Sequence, residues 1–483
     1  MPIFAAKPKE NAVALSALTD GITRSLEGAA ASVSEALFEP VIRLGVTGLS
    51  RAGKTVFITG LVANLLDRGR MPQLSAHAAG RIESVWLQPQ PDLTLPRFDV
   101  EGHLAALTGD APRWPASTRA VSELRLSFRL RPDGWLSSLQ GPRTVHLDIV
   151  DYPGEWLLDL ALLDKSYEQW SDEVLSRMAR RPEAADYLAT ARAEDGALTL
   201  NEPRAQSLAA LFTAYLGKAR HAGWADCTPG RFLLPGDLAG SPALTFAPLP
   251  RPASAPRGSL WHEMDRRFEG YKAQVVQPFF RAHFARIDRQ IVLADVLGAI
   301  HQGPQALEDL RRVMADVLSA FRPGRNGWLT ALLGGKRVER ILFAATKADH
   351  LHHSQHAALT AITEAMLREA KDRADFAGAL TAAMSLSGFR ATVEETVTRD
   401  GRDLDCVRGR LTDGRTVALF PGRLPDDPAR LLSPARQGAE KWLDAEFGLM
   451  SFEPPLRMAR RPGEGPPHIR LDRALEFLIG DRL

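Results

Sequence analysis

Residues Gly48–Thr55 read GLSRAGKT, and the reading of this stretch decides the fold. Before it, Val41-Ile42-Arg43-Leu44-Gly45-Val46 is an apolar run that suits a buried strand. After it, TVFITGLVANLL carries Val56, Phe57, Leu61, Leu65 and Leu66 at helical spacing. Strand, glycine-rich turn and helix form the context in which G-x-x-x-x-G-K-[ST] grips phosphate. The backbone from Gly48 through Leu49, Ser50, Arg51, Ala52, Gly53, Lys54, Thr55 and Val56 then wraps the phosphate oxygens, helped by the positive end of the helix dipole. Lys54 is predicted to reach the β- and γ-phosphates, and the Thr55 hydroxyl to ligate Mg²⁺. The competing reading is a strand-to-helix turn that binds nothing; the motif occurs by chance fairly often, but not with both flanks correct.

Composition sets the outer bounds. The chain has 483 residues, room for two or three domains. With 45% hydrophobic and 24% charged residues it reads as globular. A formal net charge of +2 gives no bulk attraction to nucleic acid or anionic lipid, so no nucleic-acid partner is expected. Cys227 and Cys406 are the only cysteines and cannot build a disulfide framework. No apolar run reaches the length of a membrane span, and the N-terminus lacks the order of a signal peptide. The expected location is the cytoplasm, with peripheral attachment through a membrane partner as an option.

Further parts of a nucleotide site follow in chain order. VHLDIVDYPGEW, Val145–Trp156, is a mostly apolar strand that ends in Asp-Tyr-Pro-Gly. Asp151 is placed to hold the Mg²⁺ shell, and the Gly154 N–H to meet the γ-phosphate; Asp148 is a weaker rival, two strand residues back from the tip. Upstream, residues from Val121 to Leu130 alternate as a strand, with turn signals at PDGW and LQGP, so a hairpin with the Asp151 strand is predicted. Ser117 and Thr118 precede that hairpin; a hydroxyl there, Thr118 the better placed, would complete the Mg²⁺ coordination, with a plain turn cap as the alternative. ILFAATKADH, Ile341–His350, delivers Thr346, Lys347 and Asp349 at a strand's carboxyl end, where ligands of open α/β sheets bind. Asp349 can accept from guanine N1–H and N2–H₂, a pair adenine lacks, and such a site discriminates by about 10⁴–10⁵. The Lys347 stem would lie on the base and Thr346 would brace the phosphate turn. FAGALTAAM, Phe376–Met384, reads as one more strand, and the loop from Ser385 to Thr392 would approach guanine O6, with Ser385 as the nominal contact.

Together VTGLSRAGKTVFITGL, WPASTR, DIVDYPGEWLLDL, FLLPGDL, DRQIVLADVL and ATKADH resemble the YcjX-type P-loop family over about Leu44–Thr392. The resemblance implies a stress-inducible bacterial nucleotide hydrolase of the GTPase superclass, described as ATPase or GTPase, with relatives linked to an inner-membrane partner of the YcjF type. By position it carries the phosphate turn onto Gly48–Thr55, the first switch onto Ser117–Thr118, the second onto Asp151–Gly154 and base recognition onto Thr346–Asp349.

The organisation follows from spacing. Lys54 and Asp349 are 295 positions apart, so structure is inserted between them. The predicted fold is α/β, a GTPase-like P-loop NTPase with a doubly wound sheet, a large helical insertion and a C-terminal strand-rich segment. Residues 1–40 form an N-terminal helical segment; 41–156 and 286–392 the core; 157–285 the insertion; 393–483 a β-rich segment with a terminal helix. EWLLDLALLDKSYEQWSDEVLSRMARRP, Glu183–Glu194, Arg204–His221 and Leu260–Phe284 read as helices. Because the insertion starts at the second switch, it is expected to report nucleotide state.

Two residues bear on hydrolysis. Glu155 occupies the position where well-activated small GTPases place Gln, so turnover is expected to be slow, on the order of 10⁻³–10⁻² s⁻¹. Arg51, unusual inside such a turn, is expected to act as a built-in cation over the phosphates, the alternative being a solvent-facing Arg paired with an acid. The expected cofactors are Mg²⁺ and GTP/GDP, with ATP as the alternative nucleotide and a GDP-retaining scaffold as the non-enzymatic rival. His352 and His356, four apart, have zinc-ligand spacing, but a solvated helix start is the stronger reading.

Overall fold

The computed structural model describes residues 39–49, 51–116, 120–132, 141–283, 286–320, 338–376, 379–442, 446–458 and 461–483. The predicted N-terminal helix, Ser50, Ser117, Thr118 and the hairpin turn at 133–140 lie outside them.

The described elements begin with β1 (Val41–Gly48) and α1 (Lys54–Leu66), then β2 (Ile82–Gln88), α2 (Val100–Thr108), β3 (Ser122–Leu130) and β4 (Arg143–Asp151). The next helices include α3 (Tyr167–Met178), α4 (Glu202–Ala222) and α5 (Leu260–Tyr271). The sheet resumes with β5 (Arg289–Ala294), α6 (Pro304–Ala320), β6 (Arg340–Ala345), α7 (His356–Phe376) and β7 (Leu380–Ser385). A second sheet holds β8 (Val393–Arg399), β9 (Arg402–Leu411), β10 (Thr416–Leu419) and β11 (Phe452–Glu453), and α8 (Leu471–Ile479) closes the chain.

The main sheet has seven strands in the order β2-β3-β4-β1-β5-β6-β7. β4, β1, β5, β6 and β7 are mutually parallel; β3 runs against β4, and β2 against β3. Alternation along each strand sorts side chains onto two faces. Ile291 and Leu293 of β5 and Leu342 and Ala344 of β6 join α1 and α8 in one core. Val292, Ala294, Ile341 and Phe343 join α6, α7 and the inserted helices in the other. Both faces are covered by helices, as parallel sheets require. α8 packs its buried Leu471, Ala474, Leu475 and Leu478 into the first of these cores, against β5 and β6. Arg289, 1% exposed, ties that terminus down through Asp481 at 2.9 Å, the Leu478 carbonyl and Glu339.

The stretch 155–182 departs from the single helix expected of it. It contains a short helix at Gly154–Leu158, a 3₁₀ turn at Asp159–Leu162 and then α3. The break comes from Ser166, which caps α3 with Gln169 in a reciprocal capping box. The last predicted strand also shifts: α7 runs on to Phe376 and β7 begins only at Leu380.

The inserted helices pack on aromatic side chains. Trp170 of α3 stacks on Phe268 of α5 with centroids 5.0 Å apart, and Phe212 of α4 meets Trp170 edge-on. The Pro-rich loop threads this core. Its carbonyls at Ala247, Pro248 and Leu249 accept from the Tyr167 and Tyr187 hydroxyls and from Ser171. Those bonds satisfy backbone groups that burial would otherwise leave unpaired.

Asp159 sits at the insertion's root, 2% exposed, accepting from Gly230 N–H at 2.8 Å and the Tyr271 hydroxyl at 2.6 Å. Burial lifts its carboxyl to about 7, against the opposing pull of the Tyr271 hydroxyl. The folded pKa therefore lies above the unfolded one, near 4, and Asp159 costs stability as pH rises through that window. Asp159→Asn should gain on the native chain in thermal midpoint as pH goes from 4 to 8; a constant difference between them contradicts this.

Candidate functional site

Register fixes where the predicted site residues stand. Val46 of β1 pairs with Asp151, Gly48 with Leu293, Ala294 with Ala345, and Ala345 with Ser385. The parallel strands thus end at one level. The turns after β1, β4, β5, β6 and β7 all leave from the same carboxyl edge. Three of the four described non-glycine residues with positive φ are on this rim: Arg51 at 63°, Lys347 at 59° and Arg470 at 57°. Left-handed backbone is costly for such residues and tends to gather at functional sites.

The first turn is compact. Leu49 N–H donates to Leu293 O at 3.0 Å, Ala52 N–H returns to Leu49 O, and Gly53, at φ 71°, caps α1. Lys54 opens the helix. Its ammonium donates to Tyr152 O at 2.8 Å and stands 2.6 Å from Asp151 Oδ1. The Asp151 contact is charge to charge: neither carboxylate oxygen takes a directed hydrogen bond, and both are buried. Ser122, opposite Asp151 in the hairpin register, also has a buried hydroxyl without a hydrogen-bond partner. Thr55 follows Lys54 in the first turn of α1 and is buried. Asp148, the rival carboxylate, is held by both forks of Arg125 at 2.6 and 2.9 Å. It is a buried ion pair inside the hairpin, not a strand-tip ligand.

Gly154 lies directly on the first turn. A Cβ there would intrude on the Gly48 carbonyl oxygen and lie 3.2 Å from Leu49 N. Both neighbours are backbone, so nothing can rotate away. Gly154→Ala should part the two turns and weaken the nucleotide binding predicted for them by at least tenfold, read by titration with a fluorescent guanine nucleotide; native affinity would show that this approach is not needed.

Arg51 and Glu155 both turn toward the insertion. The Arg51 guanidinium donates to His221 O at 2.7 Å, at the carboxyl end of α4. Glu155, one-tenth exposed, pairs with Arg220 of the same helix end at 2.7 Å. The sequence had offered Arg51 either phosphate or an acidic partner; its contact is a helix-terminal carbonyl. Arg220 and His221 were not anticipated as site residues.

The residues predicted for base recognition share the rim. Lys347 pairs with Asp295, which caps the helix Val296–Gln302 after β5. Thr346 directs its hydroxyl to Ala294 O at 3.3 Å, on the neighbouring strand. Asp349, 4% exposed, accepts from Ala391 N–H at 2.9 Å through one carboxylate oxygen, while its carbonyl accepts from the Thr392 hydroxyl. The loop after β7 therefore does reach Asp349, through Ala391 and Thr392. Ser385 is instead sealed in a network with Thr360, the His356 carbonyl and Arg470. The His352–His356 pair is not assembled: His356 is buried against Ala348 O and Leu351 O. His352, His353 and Glu394 do converge, with His353 Nδ1 2.7 Å from Glu394.

With this geometry in hand, comparison with known proteins is direct. Residues 42–483 match the YcjX-like family, DUF463. The chain is 38% identical over 457 residues to a protein of Escherichia coli K12 named Ras-like GTPase YcjX, covering 92% of this chain and 96% of that one. It is 36% identical over 467 residues to a protein of the same name in Shewanella oneidensis, covering 92% and 94%. The chain belongs to the YcjX-like family, and its seven-stranded, mostly parallel sheet is consistent with a GTPase-like fold.

Proposed function

We propose that this YcjX-like chain is a Mg²⁺-dependent GTPase that turns over slowly and acts as a nucleotide-state switch. One juxtaposition carries the proposal. The Lys54 turn, the Asp151–Gly154 turn and Asp349 leave one sheet edge, and two relatives bear the name Ras-like GTPase.

Gly48–Thr55 would serve as the phosphate loop, with its N–H groups and Lys54 around the β- and γ-phosphates. A buried carboxylate without hydrogen bonds beside hydroxyl donors suits a hard divalent cation; Thr55 and Asp151 would hold Mg²⁺, with Thr118 as the proposed third ligand. When bound, Mg²⁺ neutralises charge on the phosphates. Lys54 must exchange the Tyr152 carbonyl and Asp151 for phosphate oxygens. Asp349 would read guanine N1–H and N2–H₂, and Lys347 would lie along the base.

Glu155, paired with Arg220, is not poised to orient water, which supports slow turnover. Arg51 and Glu155 both touch the end of α4, so movement of either turn is transmitted to the inserted helices. The family resemblance adds a role in bacterial stress, in the cytoplasm or at the inner membrane through a YcjF-type partner. No helix among the described residues is long and apolar enough to cross a membrane.

The test is competition. GTP should displace labelled GDP at least a hundredfold better than ATP, with Mg²⁺-dependent phosphate release on the order of 10⁻³–10⁻² s⁻¹. Equal displacement by ATP would sink the guanine reading; turnover of many per second would sink the slow switch.

A further inference from the structure

Away from the nucleotide rim, a cavity of about 390 Å³ opens where the end of α3, α6 and the helix Ala429–Arg436 meet. Its size falls in the range of small-molecule sites, about 300–1,000 Å³. Arg177, Arg180, Arg181, Arg312 and Arg436 line it, against the single carboxylate of Asp309. The sequence builds this simply. RMARR puts three guanidinium groups at the end of α3, and Gln305, Asp309 and Arg312, spaced four and three apart, share one stripe of α6.

Part of this charge is structural. Arg181, 6% exposed, donates to Asp309 at 2.8 Å and stacks over Trp224 at 4.5 Å. Arg177 pairs with Asp226 at 3.0 Å, and Arg312 with Glu308 at 3.2 Å. Arg180 and Arg436, both exposed, pair with no carboxylate among the described residues. Like charges gathered in a concavity raise its potential and attract counter-charge. Guanidinium forks fit phosphate oxygens in pairs. With Arg177, Arg181 and Arg312 each answered by a carboxylate, the two charges of Arg180 and Arg436 remain, and one phosphate group at about −1.5 to −2 would balance them.

We propose that this arginine pocket is an effector site for a small phosphorylated molecule, inorganic polyphosphate and phosphate esters being the chemistry it fits. Nothing in the nucleotide reading requires it. A route joins it to the rim, and that part rests on the nucleotide reading. Asp309, held by Arg181, accepts from Ala225 N–H at 2.8 Å and Asp226 N–H at 3.0 Å, and Arg181 donates to Asp226 O. Those residues continue the end of α4, whose Arg220 and His221 hold Glu155 and Arg51. An anion that draws Arg181 away from Asp309 loosens the segment that touches both turns.

Inorganic tripolyphosphate is the probe, titrated calorimetrically into full-length protein saturated with GDP, at 150 mM salt and without free Mg²⁺. GDP binding alone is measured first, so failure of the nucleotide reading appears separately. One molecule should bind per chain, and Arg180→Ala/Arg436→Ala, both exposed positions, should weaken it at least tenfold while leaving GDP affinity unchanged. Absent binding, equal affinity in the double variant, or equal binding of citrate would overturn the phosphate site. Tripolyphosphate should also change the GDP release rate at least threefold in the native chain and not in the variant; an unchanged rate would overturn the effector role.

Discussion

Lys54→Ala should lower nucleotide turnover by about 10²–10³, the cost of removing one preorganised charge from a phosphoryl-transfer site. It should also destabilise the fold, for a reason specific to this chain. Lys54 and Asp151 are 10% and 1% exposed at their side chains, and Lys54 is the charge that answers a carboxylate with no hydrogen bonds. Removing the ammonium leaves a buried uncompensated anion, which costs about 3–5 kcal/mol. The two effects are separable. Lys54→Ala/Asp151→Asn should recover most of the thermal midpoint while phosphate release stays at least as low as in Lys54→Ala. A single variant that unfolds therefore does not hide the answer. Native turnover in a folded double variant would show that phosphate never meets this turn.

The surroundings of the candidate site were legible where the signals are local. Gly48–Thr55 announces strand, turn and helix within a short span, and β1 and α1 flank it as expected. The choice of Asp151 over Asp148 rested on position at the strand tip, and the hairpin supplies the physics: Arg125, directly across, consumes Asp148. Position along the chain did less well where several elements contribute. Ser385 follows a buried strand as a base-contacting residue should, yet Thr360 and Arg470 enclose it, and Ala391 meets Asp349 instead. Arg470 lies 85 residues from Ser385, and no local signal links them. The same holds for Arg51 and His221, 170 positions apart. β2 escaped notice because it is an edge strand, half-buried along most of its length, without clean alternation. The helix after it carried a readable signal in Asp99, which caps Gly102 N–H at 3.0 Å. The capping box at Ser166–Gln169 was equally readable and marks where the long helical reading of the insertion breaks.

Asp349→Asn should move base preference from guanine toward xanthine, a shift in the GTP-to-XTP affinity ratio of about 10⁴. Guanine offers N1–H and N2–H₂ donors to a carboxylate, whereas xanthine carries a carbonyl at position 2. An asparagine amide can donate to that carbonyl but meets the guanine amine donor to donor. The substitution is structurally mild here. Asp349 accepts from Ala391 N–H through one oxygen and from the Thr392 hydroxyl through its main-chain carbonyl. Asn keeps one side-chain oxygen for Ala391 and the same carbonyl for Thr392, so the loop after β7 should hold its place. Loss of GTP binding without a gain for XTP would leave the loop's integrity in question, and the thermal midpoint then decides between a damaged loop and a lost contact. Unchanged affinity for both nucleotides is the decisive negative: Asp349 would then be a loop anchor, and the rim it shares with Lys54 would bind phosphate without reading the base.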